Sequence, residues 1–111
     1  MEKMLKPVWT LDDALELVRN LQPWTRDYAY HLAIGGGVVN TGSSLKDLDL
    51  YFLPLDNDGF VPRTDALLDD LQKHFGPYEP IVAPEYAHLH SFYRHKVKFE
   101  NAGKRIDAFI L

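Results

Sequence analysis

From Asp47 to Phe52 the side chains alternate strictly, with Asp47, Asp49 and Tyr51 on one side and Leu48, Leu50 and Phe52 on the other. A period of two is that of a β-strand, whose successive side chains point to opposite faces, and a helix cannot satisfy it. The segment therefore reads as a strand closed by Pro54, one face buried and the other carrying two carboxylates. Such a strand needs partners on its edges and a layer over Leu48, Leu50 and Phe52. A chain of 111 residues has room for one core of that kind and not for two, so a single domain over 1–111 is expected.

The covering layer is legible on either side of this strand. Thr10 is placed to cap a helix with Asp13 three residues on, and Leu11, Ala14, Leu15, Val18 and Leu21 recur at helical spacing until Pro23. Trp24–Tyr30 predicts a further helical turn or two, and His31–Ile34 a buried strand ended by Gly35-Gly36-Gly37. Asp56–Gly59 predicts a turn. Thr64 is placed to cap a second helix with the stripe Ala66, Leu67, Leu68, Leu71 and Phe75, stopped by Gly76-Pro77. A short edge strand is expected at Ile81-Val82. The C-terminal segment predicts a hairpin around Glu100–Gly103 in which Phe99 pairs with Lys104, Val97 with Ile106 and Lys96 with Asp107. The fold class that follows is α/β in the broad α+β sense: a small mixed β-sheet with helices packed mainly on one face.

Composition removes several function classes. No cysteine is present, which excludes disulfide scaffolds, thiolate catalysis and cysteine-built zinc sites. No apolar run approaches the ~18 residues that span a bilayer, and Met1–Thr10 lacks a charged-then-apolar leader, so a cytoplasmic protein without a membrane partner is expected. Net charge is −4, which argues against broad nonspecific binding of nucleic acid. The charge is uneven: Ser43–Phe75 holds three basic and seven acidic residues, Tyr86–Leu111 five basic and two acidic. An acidic centre beside a basic C-terminal third suits cations and phosphates held together.

The chemistry-bearing residues are three carboxylates. Asp47 and Asp49 share one strand face, and Asp107 lies opposite the apolar set Ile106, Ala108 and Ile110 on another strand. If the two strands are neighbours, the acids converge on one patch, which repels itself unless cations occupy it; hard oxygen ligands suit Mg2+ or Mn2+. A lone Asp-x-Asp pair is more often a solvated strand face than a metal site, and a glycine triplet is equally a plain strand end.

Together these features are more specific. Gly35-Gly36-Gly37, then Val-Val-Asn-Thr-Gly-Ser-Ser-Leu-Lys and Asp47-Leu-Asp49-Leu, resembles the signature of the DNA polymerase beta-like nucleotidyltransferase superfamily: a strand ending in Gly-Gly or Gly-Ser, a short connecting segment, a strand bearing two spaced acids, and a third acid on a later strand. Asp47 and Asp49 follow Gly36 by 11 and 13 residues, and Arg105-Ile-Asp107-Ala-Phe-Ile matches the third-acid strand. The resemblance covers roughly Tyr30–Leu111. It implies a metal-dependent transfer of a nucleoside monophosphate from an NTP to an acceptor hydroxyl on protein or RNA. Gly36 and Gly37 would let backbone amides approach the triphosphate, helped by Ser43, Ser44 or Lys46. Asp47 and Asp49 would bind both metals, and Asp107 would ligate the catalytic metal and help activate the acceptor. Small relatives adenylylate a protein tyrosine, larger ones extend RNA ends, and others modify antibiotics.

Two departures bear on that expectation. The usual serine of the phosphate contact is a glycine here, and the sequence stops at the third acid's strand, where larger relatives add a helical domain. The resemblance thus implies a minimal catalytic module, one whose partner protein supplies a second domain, or a noncatalytic nucleotide-binding or protein-interaction module. In the predicted hairpin Lys96, Lys98 and Arg105 share the face of Asp107, placed either to meet phosphate or acceptor or simply to be solvated, and none is expected to belong to the core. His88-x-His90 reads as a surface pair before a metal site, and His31, His74 and His95 as structural. Trp9 and Trp24 read as core or interface residues. No Walker loop, dinucleotide fingerprint or Ser-His-Asp spacing is present.

Overall fold

The computed structural model describes residues 9–36, 42–44, 47–55, 62–81, 93–101 and 104–111. Strand β1 (Trp9–Thr10) leads into α1 (Leu11–Thr25), a 3-10 turn (Arg26–Tyr28) and β2 (Tyr30–Gly35). β3 (Ser43–Ser44), β4 (Asp47–Pro54), α2 (Thr64–Phe75), β5 (Tyr78–Pro80), β6 (His95–Asn101) and β7 (Lys104–Ile110) follow. β2, β4, β7, β6 and β5 form, in that order, a five-stranded sheet, and β1 pairs with β3 in a separate ribbon. Within the larger sheet β4 and β7 run parallel and the other pairings are antiparallel. The sheet is mixed, and the fold is of the α+β class that the sequence predicts.

Both helices cover the same face. Ala14 and Leu21 of α1 and Leu67, Leu68, Leu71 and Phe75 of α2 pack with Leu48, Leu50, Phe52, Val97, Phe99, Ile106, Ala108 and Ile110 of the sheet. Burying each large side chain of this set contributes roughly 1.5–3 kcal/mol over leaving it exposed. Flipping β4 or β7 would forfeit several such terms, which is what holds the carboxylates on the face away from the helices. Among the described residues no helix is long and apolar enough to cross a membrane.

Local structure departs from the sequence expectations at four places. The α1 cap is as expected, with the Asp13 amide donating to Thr10 Oγ1 at 3.1 Å, but the helix runs through Pro23 to Thr25. Thr25 is fully buried and its hydroxyl donates to the Gln22 carbonyl at 3.1 Å, so packing at the helix end outweighs the ladder bond that a proline removes. Only the 3-10 turn separates α1 from β2; Ala29, at φ 62°, makes the reversal into the strand. Thr64 does not cap α2: Arg63 occupies the cap position without a side-chain bond to the helix, while the Thr64 hydroxyl shares a buried 2.6 Å hydrogen bond with Tyr30 Oη. The short edge strand lies at Tyr78–Pro80, with Ile81 just past its end donating its amide to the Lys96 carbonyl at 2.9 Å.

The fourth departure is the hairpin register. Phe99 faces Ile106, Val97 faces Ala108, Lys98 faces Asp107 and Asn101 faces Lys104, two residues from the expected pairing. A slip of two keeps every side chain on its face, so the hydrophobic pattern does not separate the two registers. Glu100 and Asn101 belong to β6; only Ala102 and Gly103 lie between the strands, the loop length that two-residue hairpins favour. The Asp56–Gly59 turn, Val82, Gly37, Lys46, His88 and His90 lie outside the described residues.

Candidate metal centre

The parallel pairing of β4 and β7 sets Asp47 beside Arg105 and Asp49 beside Asp107. Strand alternation then sends all three carboxylates to the face away from α1 and α2. Ligand oxygens of Asp47, Asp49 and Asp107 lie within 4.8 Å of one another. The expected convergence is thus present. Asp107 is buried, at 3% exposure, while Asp47 and Asp49 are half-buried.

Crowded carboxylates titrate abnormally. Burial, then repulsion from Asp47 and Asp107, raises the Asp49 pKa to about 6 against the opposing pull of Arg105. Burial likewise raises Asp107 to about 6, with the hydrogen bond it shares with Asp47 adding to the rise and its bonds from Arg105 opposing it. Arg105 Nε donates to Asp107 Oδ1 at 2.9 Å and Nη2 to Oδ2 at 3.5 Å. The guanidinium pKa is raised in turn, chiefly by that hydrogen bond. Two like charges 4.8 Å apart repel by roughly 3 kcal/mol at an effective dielectric of about 20. One arginine offsets part of this for three carboxylates, and a divalent cation would offset more. The donor set is all hard oxygen, which fits Mg2+ or Mn2+, and each carboxylate has lone pairs beyond those a single arginine engages.

The glycine that follows β2 belongs to the same patch. Gly35 pairs with Asp49 across β2 and β4, and Gly36 turns away at φ 70°, a conformation that costs glycine little. Ser43 and Ser44 pair through their backbones with Thr10 and Trp9, which ties the segment preceding β4 to the start of α1; the Leu11 amide also donates to the Gly42 carbonyl at 2.9 Å.

The basic residues expected near the acids take three different positions. Arg105 contacts Asp107 directly. Lys98, not Lys96, is the cross-strand neighbour of Asp107, and its ammonium lies 3.4 Å from Glu79 Oε2. Lys96 is opposite Phe109 and is buried, at 8% exposure, which corrects the expectation that all three basic side chains are dispensable to the core.

The same face also holds features that reading the sequence missed. Tyr51 stacks on Phe109 with centroids 5.1 Å apart and rings 17° from parallel, and Tyr93 also packs against Phe109, at 5.4 Å. Tyr51 and Phe109 are register partners two residues beyond Asp49 and Asp107, so an aromatic row adjoins the acids. Alternation gave each residue's face, but their contact depended on knowing that β4 and β7 are neighbours. Trp9 is buried, donating Nε1 to the Arg105 carbonyl at 2.9 Å, and Lys104 Nζ sits 4.6 Å from the Trp9 ring centroid; both fix the start of β7. Two of the histidines expected to be structural make local contacts: His31 Nδ1 meets Gln22 Nε2 at 3.3 Å, and His74 packs against Phe75. No protein-family model, no curated protein and no solved structure matches this chain.

Proposed function

We propose that the chain is a metal-dependent nucleotidyltransferase acting on an NTP and an acceptor hydroxyl of protein or RNA. The observation that carries the reading is the convergence of Asp47, Asp49 and Asp107 at the spacing from the glycine turn that resembles the polymerase beta-like signature. In the proposed reaction the acceptor oxygen bonds to the α-phosphorus, the bond from that phosphorus to the bridging oxygen breaks, and pyrophosphate leaves. The acceptor proton passes to a triad carboxylate acting as general base. Divalent ions bound by the triad would supply Lewis-acid activation and neutralise phosphate charge. Arg105, bonded to Asp107, and Lys98, across the strand pair from Asp107, would meet phosphate oxygens as charge-assisted donors.

A noncatalytic nucleotide-binding or interaction module is the second reading, favoured by one contact: Arg105 already engages both oxygens of Asp107, as a cation substitute would. Incubation with each α-labelled NTP, Mg2+ or Mn2+, and RNA or protein acceptors separates them. Label transfer that disappears in Asp107→Asn supports the enzyme; nucleotide binding without transfer to any acceptor supports the module. Neither binding nor transfer contradicts both.

A further inference from the structure

We infer that Gly36 is a positioning residue for the Asp49 carboxylate, a role separate from any backbone contact with phosphate; the inference rests on the metal-site reading above. A Cβ placed on Gly36 would lie 2.1 Å from Asp49 Oδ2 and 3.1 Å from its Cγ. The first approach forces the carboxylate to move, and the second forces it to give by a few tenths of an ångström. The bare backbone at this position is therefore the space into which the carboxylate fits, and any side chain there displaces it.

The direction of that displacement follows from the surroundings. Toward β7 the carboxylate meets Asp107, its register partner, and Asp47 repels it as well. Solvent is the direction left that costs least, and a carboxylate turned outward no longer shares a ligand sphere with the other two. Gly36 thus keeps Asp49 in a crowded position that its charge alone would oppose. The requirement is specific to the carboxylate: the Cβ of Asp49 is 3.5 Å from the same point, an ordinary contact, so an alanine at 49 would leave room for an alanine at 36.

A control for backbone strain exists in the same chain. Gly42 has φ 82°, close to the 70° of Gly36, yet a Cβ there meets nothing within 4 Å. Gly42→Ala thus carries the left-handed penalty without the clash, and Gly36→Ala carries both.

The experiment has two arms. With Mn2+ alone as the probe, Gly36→Ala is expected to lose affinity by about 10-fold or more, as misoriented ligands do, while Gly42→Ala keeps wild-type affinity. Without metal, thermal unfolding of both variants in the wild-type and Asp49→Ala backgrounds is expected to show an extra loss of Tm for Gly36→Ala that vanishes when Asp49 is alanine. Should Gly36→Ala alone fail to fold, the Gly36→Ala/Asp49→Ala double variant is expected to recover the fold. Equal Tm losses for the two glycine variants in both backgrounds, or a double variant that is not rescued, would overturn the inference. Absence of Mn2+ binding by the wild type would overturn the metal reading and leave the metal-free arm to decide the role of Gly36.

Discussion

Asp49 and Asp107 stand side by side in register on the parallel strands β4 and β7, two buried or half-buried carboxyls both shifted to pKa values of about 6. A raised acid pKa in the folded state means that folding favours the protonated form. The associated stability is present below the unfolded value near 4 and is lost as pH rises through about 6. Without divalent ions, stability should therefore fall between pH 4.5 and pH 7, read by urea unfolding across that range. Asp49→Asn should flatten the fall and raise metal-free stability at pH 7 by on the order of 1 kcal/mol, less than a fully buried group would give.

Mg2+ or Mn2+ should reverse that loss. At saturating ion the wild-type Tm should rise by several degrees, since a ligand at about 100 times its Kd contributes about 2.7 kcal/mol. Asp47→Asn/Asp49→Asn should remove the response; equal stabilisation of that double variant would place the ions elsewhere.

Arg105 is the existing counter-ion, and its removal has a signed pH dependence. Arg105→Gln should cost about 1–3 kcal/mol at pH 7.5 by leaving Asp107 without its charged partner. The cost should shrink at pH 5, where Asp107 is protonated. Equal destabilisation at both pH values would mean that the arginine acts through packing alone.

The hairpin charges should separate in mutants. Lys98→Gln should leave stability nearly unchanged, since its partner Glu79 is exposed and such pairs contribute about 0–1 kcal/mol, yet weaken NTP binding. Lys96→Ala should destabilise by on the order of 1–2 kcal/mol because a buried stem is lost. Chemical denaturation and NTP titration of the two variants read both effects.

How far the sequence reached depended on the range of the information. β4 was legible to the residue, because Asp47–Phe52 alternates without interruption and Pro54 closes it, and so was the face of Asp107, because alternation is a local property. The partner of Asp107 was not: two registers differing by two residues bury the same side chains, and the choice lay in where β6 ends. Pro23 misled for a related reason, since the burial of Thr25 that carries α1 past it is a tertiary fact. The fit of Asp49 against Gly36 depends on β2 pairing with β4, which no local pattern encodes.

Crystals grown with Mn2+ and a nonhydrolysable NTP give the most direct measurement. Anomalous scattering at the manganese edge should place an ion about 2–2.3 Å from oxygens of Asp47, Asp49 and Asp107, in the range of oxygen ligation to small divalent ions, with the triphosphate against the Gly36 turn. Nucleotide bound away from these carboxylates, or no anomalous peak at the triad with Arg105 still bridging Asp107, would contradict the proposed metal centre.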